Sequence, residues 1–122
     1  MDKKSTKVLI CDDSILARKS IHAIIAEMGF ENILEVANGQ DAIDICIKES
    51  PDLVLLDIVM PVKDGVSATK EIMEQRPDTS IVIISSVGTQ THLTEAIKAG
   101  AKDFIQKPVD SELLKQVINN LK

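Results

Sequence analysis

A chain of 122 residues is the length of one domain, and a domain of that size removes roughly two-thirds of its unfolded surface from water, enough for a core. Its 14 basic and 19 acidic residues leave a formal net charge of -5, which excludes unaided binding to nucleic acid or an anionic membrane and admits divalent cations and basic partner surfaces. With 2 Phe and no Tyr or Trp the core must be aliphatic, and the 2 Cys make neither a zinc motif nor a CxxC pair.

Residues 1–6 are polar and read as a disordered lead-in, with the folded domain over 7–122. Val8-Leu9-Ile10-Cys11 is a continuous apolar run that ends in Asp12-Asp13, as a strand buried on both faces would. Ser14 then suits the N-cap of a helix carrying Ala17, Ile21, Ile24, Ile25 and Met28 at helical spacing, stopped by Gly29. Ile33 to Val36 is a short second strand, followed by a turn signal at Asn38-Gly39. Ala42, Ile43, Ile45, Cys46 and Ile47 form a second helix, closed near Ser50-Pro51.

Leu53 to Leu56 is the third strand, and it delivers Asp57. Ile58-Val59-Met60-Pro61 and Asp64-Gly65 make a stiffened loop before a third helix with Ala68, Ile72 and Met73. Ile81 to Ile84 is the fourth strand, ending in Ser85-Ser86. Thr89 or Thr91 is a candidate cap for a fourth helix with Leu93, Ala96 and Ile97, stopped by Gly100. Asp103 to Ile105 is the fifth strand and leads to Lys107-Pro108. Asp110 caps a last helix whose Leu114, Val117, Ile118 and Leu121 form one apolar stripe.

Five alternations of strand and helix specify an α/β layered fold: a parallel sheet covered on both faces. Right-handed crossovers place every strand's carboxyl end on one edge, where ligands bind in such sheets. Asp12, Asp13, Asp57, Ser85 and Lys107 all follow strands, so all are expected there. Crowded carboxylates repel and recruit a cation, and Mg²⁺ prefers such oxygen ligands. Asp57 is the candidate nucleophile, because a carboxylate can accept a phosphoryl group. Lys107 offers a point charge toward a phosphoryl oxygen, and Ser85 offers a hydroxyl. The two cysteines read as small buried thiols, so a reducing, cytoplasmic setting is expected. No apolar stretch approaches the ~20 residues of a membrane span, and no signal-peptide core precedes the first strand. His22 and His92 have no partner spacing and receive no role.

In these motifs the chain resembles response-regulator receiver domains, and among them the stand-alone chemotaxis type. The resemblance is carried by Cys11-Asp12-Asp13-Ser14, by Asp57 through Gly65, by Ser85-Ser86, by Ala99-Gly100-Ala101-Lys102-Asp103-Phe104 and by Lys107-Pro108. It implies a flavodoxin-like three-layer sandwich with a five-stranded parallel sheet in the order 2-1-3-4-5. It implies that Asp57 accepts a phosphoryl group from a histidine kinase or a histidine phosphotransfer protein. It implies Mg²⁺ (or Mn²⁺) held by Asp13, Asp57 and the Val59 main-chain carbonyl, with Asp12 acting through water. Ser85 and Phe104 would be switch residues, Phe104 swinging inward, and the Lys107-Pro108 peptide is often cis in the family.

Further implications concern partners and rate. The kinase would dock near Ile15 and the first helix. An output target, such as a flagellar motor switch component, would read the face made by residues 90–98, Phe104 and residues 110–122. The length leaves no room for an output domain, and neither nucleic acid nor membrane insertion is expected. Val59 and Val87 stand where relatives can carry polar residues that orient the hydrolytic water, so slow self-dephosphorylation is expected. Two rivals are a metal-dependent aspartyl phosphatase and a docking module that never sees phosphate. The phosphatases place two aspartates one residue apart on the nucleophile strand and carry a cap domain, whereas Asp57 is followed by Ile58-Val59. The complete set of acids, serine and lysine argues against the docking module. A signalling switch, not a turnover enzyme, is therefore expected.

Overall fold

The computed structural model describes residues 2–86 and 90–121. Within them, β1 (Lys7–Cys11), α1 (Ile15–Glu27), β2 (Asn32–Val36), α2 (Gly39–Glu49), β3 (Leu53–Leu56), α3 (Gly65–Gln75), β4 (Ser80–Ser85), α4 (Gln90–Ala99), β5 (Asp103–Gln106) and α5 (Ser111–Asn119) follow in strict alternation. The strands form one parallel sheet in the order β2-β1-β3-β4-β5, the arrangement expected.

Side-chain alternation along the strands divides the core in two. Leu9, Cys11, Val54, Leu56, Ile81 and Ile83 face one way, against Ala42, Cys46, Ala68, Ile72 and Ala96 of α2, α3 and α4. Val8, Ile10, Leu53, Leu55, Val82 and Ile84 face the other way, against Ile21 and Ile25 of α1 and Leu114 and Ile118 of α5. Each central strand therefore reads as an unbroken apolar run, because both of its faces are covered. Burying one such leucine or isoleucine is worth about 1.5–3 kcal/mol relative to exposing it.

Helix starts are set by local chemistry. Ser14, Asp64 and Asp110 accept main-chain hydrogen bonds at the N-termini of α1, α3 and α5. Asn38 does the same for α2, accepting from the Asp41 N–H at 2.8 Å. The expected turn at Asn38-Gly39 is therefore a helix start, with Asn38 extended and Gly39 already helical. One of the two caps offered for α4 is corrected: the helix is under way at Gln90, so Thr91 follows the position a cap must occupy. Thr89, the other candidate, lies outside the described residues. Ahead of β1, residues 3–5 make a turn in which the Thr6 N–H and hydroxyl both donate to the Asp2 carbonyl.

Candidate functional site

The ends of β1 and β3 are held together one residue beyond the strands. The Asp57 N–H donates to the Cys11 carbonyl at 3.0 Å, and the Asp12 N–H donates to the Val36 carbonyl at 3.2 Å. Two adjacent parallel strands thus deliver Asp12 and Asp57 side by side at the carboxyl edge. Asp13 follows Asp12 on the way to α1, and one ligand atom from each of the three carboxylates lies within 4.8 Å of the others.

The acids are unequal. Asp12 and Asp57 are buried, at 1% and 6% exposure, while Asp13 is open to solvent. Every polar atom of Asp12 has a partner. Its N–H is bound to β2, and its carbonyl accepts from Arg18 Nη1 at 2.8 Å. Its Oδ1 accepts from the Ser14 N–H at 2.9 Å, and its Oδ2 meets Lys107 Nζ at 2.6 Å. Asp57 Oδ1 accepts from the Ile58 N–H at 2.7 Å, and its Oδ2 lies 3.2 Å from the same ammonium. Asp13 has no hydrogen-bond or ion-pair partner among the described residues. One partly buried ammonium bridging two buried acids, with a third acid open beside them, is an arrangement suited to a cation or a phosphoryl group.

Lys107 reaches this position through β5. Its N–H donates to the Ser85 carbonyl at 2.8 Å, which registers the lysine against the end of β4, and the Lys107-Pro108 peptide is cis. Burial opposes its charge, but the hydrogen bond to Asp12 and the charges of Asp57 and Asp12 outweigh burial. Its pKa is raised above the ordinary lysine value, so it is an ammonium at neutral pH. Ser85 itself is fully buried at the same edge.

The loop after Asp57 is held by close main-chain packing. The Gly65 N–H donates to the Ile58 carbonyl at 2.7 Å, and a β-carbon on Gly65 would stand 2.1 Å from the Asp57 carbonyl oxygen. Gly39 accepts the far side of the loop in the same way, 2.1 Å from the Lys63 carbonyl oxygen. Between these anchors Val62 takes φ 69°, unusual for a β-branched residue, while the Lys63 N–H donates to the Pro61 carbonyl at 2.8 Å. An ion pair of Lys63 with Glu71 ties the loop to α3. Val59 is exposed, and Val87 lies outside the described residues.

Cys11 forms part of the apolar floor with Ile58 and Met60. Burial first, then the charges of Asp12 and Asp57, push its thiol far above the ordinary cysteine range. Cys46, also buried, is pushed up to about 12. Neither carries thiolate at neutral pH, as expected of small buried thiols. Phe104 pairs in register with Ile83 and is half-buried against the core face of α2, α3 and α4.

One group of site residues escaped the sequence. Arg18 Nε lies 3.1 Å from Glu35 Oε1, and His22 Nδ1 and Lys19 Nζ lie 2.7 and 3.4 Å from Glu35 Oε2. Burial raises the Glu35 pKa, but the hydrogen bonds from His22, Arg18 and Lys19 more than reverse that, and the net shift is downward. His22, assigned no partner by spacing, thus has one across the chain. The single available signal was a glutamate inside the apolar run of β2.

The oxygen-only donor set fits a hard divalent cation such as Mg²⁺ or Mn²⁺. Residues 8–119 match the response regulator receiver domain family. The chain is 41% identical to the chemotaxis protein CheY of Bacillus subtilis, covering 93% of this chain and 94% of that protein. It is 40% identical to CheY of Thermotoga maritima, covering 94% and 96%. A solved CheX–CheY–BeF3–Mg complex from Borrelia burgdorferi contains a similar chain, with TM-score 0.89 and 33% identity over 95% of this chain and 89% of that one.

Proposed function

This chain belongs to the response regulator receiver domain family, and on that premise we propose that it is a phosphorylation-controlled switch of chemotaxis two-component signalling. The observation that carries the reading is the meeting of Asp12, Asp57 and Lys107 at the carboxyl edge, with Asp13 open beside them. In the proposed step a carboxylate oxygen of Asp57 attacks the phosphorus of a phosphohistidine. A P–O bond forms, the P–N bond breaks and the imidazole leaves with its electron pair. Lys107 faces the acceptor carboxylate and neutralises charge on the transferred group. Asp12, Asp13, Asp57 and the Val59 main-chain carbonyl would hold Mg²⁺ or Mn²⁺, which when bound supplies further neutralisation of the phosphoryl oxygens. Ser85 would donate its hydroxyl to the new phosphoryl group, and Phe104 would follow it inward.

The donor is a histidine kinase or a histidine phosphotransfer protein. Ile15 and Leu16, both exposed apolar residues at the start of α1, suit the docking of that donor beside the site. The output surface is α4, β5 and α5, where Ile97 and Leu113 are exposed apolar residues. A flagellar motor switch component is the proposed reader, by analogy with the chemotaxis relatives. No helix among the described residues is long and apolar enough to cross a membrane, and a cytoplasmic site of action follows from the proposed donor. The chemistry is one phosphoryl group per chain followed by slow hydrolysis, so the protein acts as a signalling partner and not as a turnover enzyme.

Incubation with acetyl phosphate and Mg²⁺, read by intact mass, tests this reading. We expect a gain of ~80 Da in the parent and none in Asp57→Asn. No gain in the parent, or an undiminished gain in the variant, would overturn the assignment. Steady phosphate release from a phosphomonoester would instead favour an aspartyl phosphatase.

A further inference from the structure

We propose that Arg18 is a positioning residue for the acid cluster: its guanidinium, clamped by Glu35, fixes the main chain at Asp12 and so sets where Asp12 and Asp13 present their carboxylates. The proposal deepens the reading above and rests on the acids holding a divalent cation.

The geometry is a fork used in two directions. Arg18 Nε lies 3.1 Å from Glu35 Oε1, while Nη1 donates to the Asp12 carbonyl at 2.8 Å. A guanidinium can do both at once because its donors diverge in one rigid plane, which a lysine ammonium cannot reproduce. The Glu35 end is firm. Its carboxylate also meets His22 and Lys19, and the Glu35 side chain is only 18% exposed. The Asp12 end needs holding. Beyond β1 the chain turns from strand into α1 over Asp12, Asp13 and Ser14, and the Asp12 carbonyl has left the sheet ladder. A charge-assisted hydrogen bond at that carbonyl orients the peptide plane between Asp12 and Asp13. Asp13 lacks any side-chain partner of its own among the described residues, so its direction depends on that peptide plane.

The sign of one measurement separates positioning from plain electrostatics. Removing a positive charge beside an acid cluster should tighten cation binding by Coulomb's law. Loosening the ligands should weaken it, and outer partners of metal ligands typically contribute 10–100-fold to affinity. Mg²⁺ is titrated by calorimetry without any phosphoryl donor, at a temperature where unfolding curves show each variant folded. The parent must bind Mg²⁺ and gain a phosphoryl group on Asp57. Failure of both overturns the proposed function itself, whereas normal binding with unaltered variants overturns only the role of Arg18.

For Arg18→Ala we expect Mg²⁺ binding weaker by about tenfold. Unchanged or tighter binding overturns the proposal. Arg18→Lys keeps the charge without the fork and is expected to weaken binding in the same direction. Parental affinity in Arg18→Lys also overturns the proposal, and that variant decides alone if Arg18→Ala does not fold. Glu35→Gln should weaken binding in the parent and add nothing in the Arg18→Ala background, because its effect passes through Arg18. Additive effects overturn the clamp.

Discussion

Asp57 and Lys107 are legible by one rule: polar residues that follow an apolar run sit at the strand end, Asp57 directly after Leu56 and Lys107 directly after Gln106, the last residue of β5. The rule works because a strand stays apolar for as long as helices cover both of its faces, so the polar residues that follow mark where cover ends. It says nothing about which strand ends are neighbours, and the 2.6 Å contact of Lys107 with Asp12 joins residues 95 apart in the chain. It also missed Arg18, Glu35 and His22, whose pairing crosses from α1 to β2 with no periodic signature. Val59 is exposed two residues after Asp57, and an apolar side chain there cannot orient an attacking water through a hydrogen bond. Val59→Asn is expected to shorten the phosphoryl lifetime severalfold, measured as decay of the phosphorylated mass after removal of acetyl phosphate. An equal or longer lifetime would count against the apolar residue as the cause.

The elements carry the site through their ends. Ser14, Asn38, Asp64 and Asp110 start four helices by accepting main-chain hydrogen bonds, and Asp64 does so while ending the loop that begins at Asp57. Asn38-Gly39 looked like a turn because the same residue types serve turns and helix starts. What distinguishes the two here is tertiary: α2 begins at a glycine because the Lys63 carbonyl presses against it. Gly65 is the corresponding contact for α3, against the Asp57 carbonyl. Gly65→Ala forces main chain apart at 2.1 Å, where no flexible side chain can yield. Overpacking of this kind costs about 1–3 kcal/mol. Urea unfolding should show that loss, and Mg²⁺ affinity should fall with it because the displaced group is the Asp57 main chain.

At the scale of the whole molecule, charge pairing sets the response to pH. The Glu35 pKa lies below its ordinary value of 4.5 in the folded state. A depressed carboxylate contributes stability that is fully present above the unfolded value and is lost as pH falls through the folded one. Thermal unfolding of the parent should therefore decline from pH 4.5 downward more steeply than that of Glu35→Gln. Parallel acid limbs in the two proteins would show that Glu35 pairing does not contribute. Lys107 has the opposite sign. Its raised pKa gives stability that is present below the ordinary lysine value and is lost only as pH rises through the folded one. Around neutrality both contributions are intact.

The sequence by itself determined the alternation of elements, the span of β3 and the identity of the residues delivered to the carboxyl edge. It could do so because burial on both faces leaves an unbroken apolar run, and caps and stops act over a few residues. Tertiary structure alone decided which of those residues touch. It made Asp12 and Asp57 share one ammonium, left Asp13 open, and drew Arg18 between Asp12 and Glu35. The physical reason is that these contacts depend on strand order and on the reach of long charged side chains. Neither leaves a local pattern, because a hydrogen bond between distant residues constrains their positions in space and not their spacing along the chain.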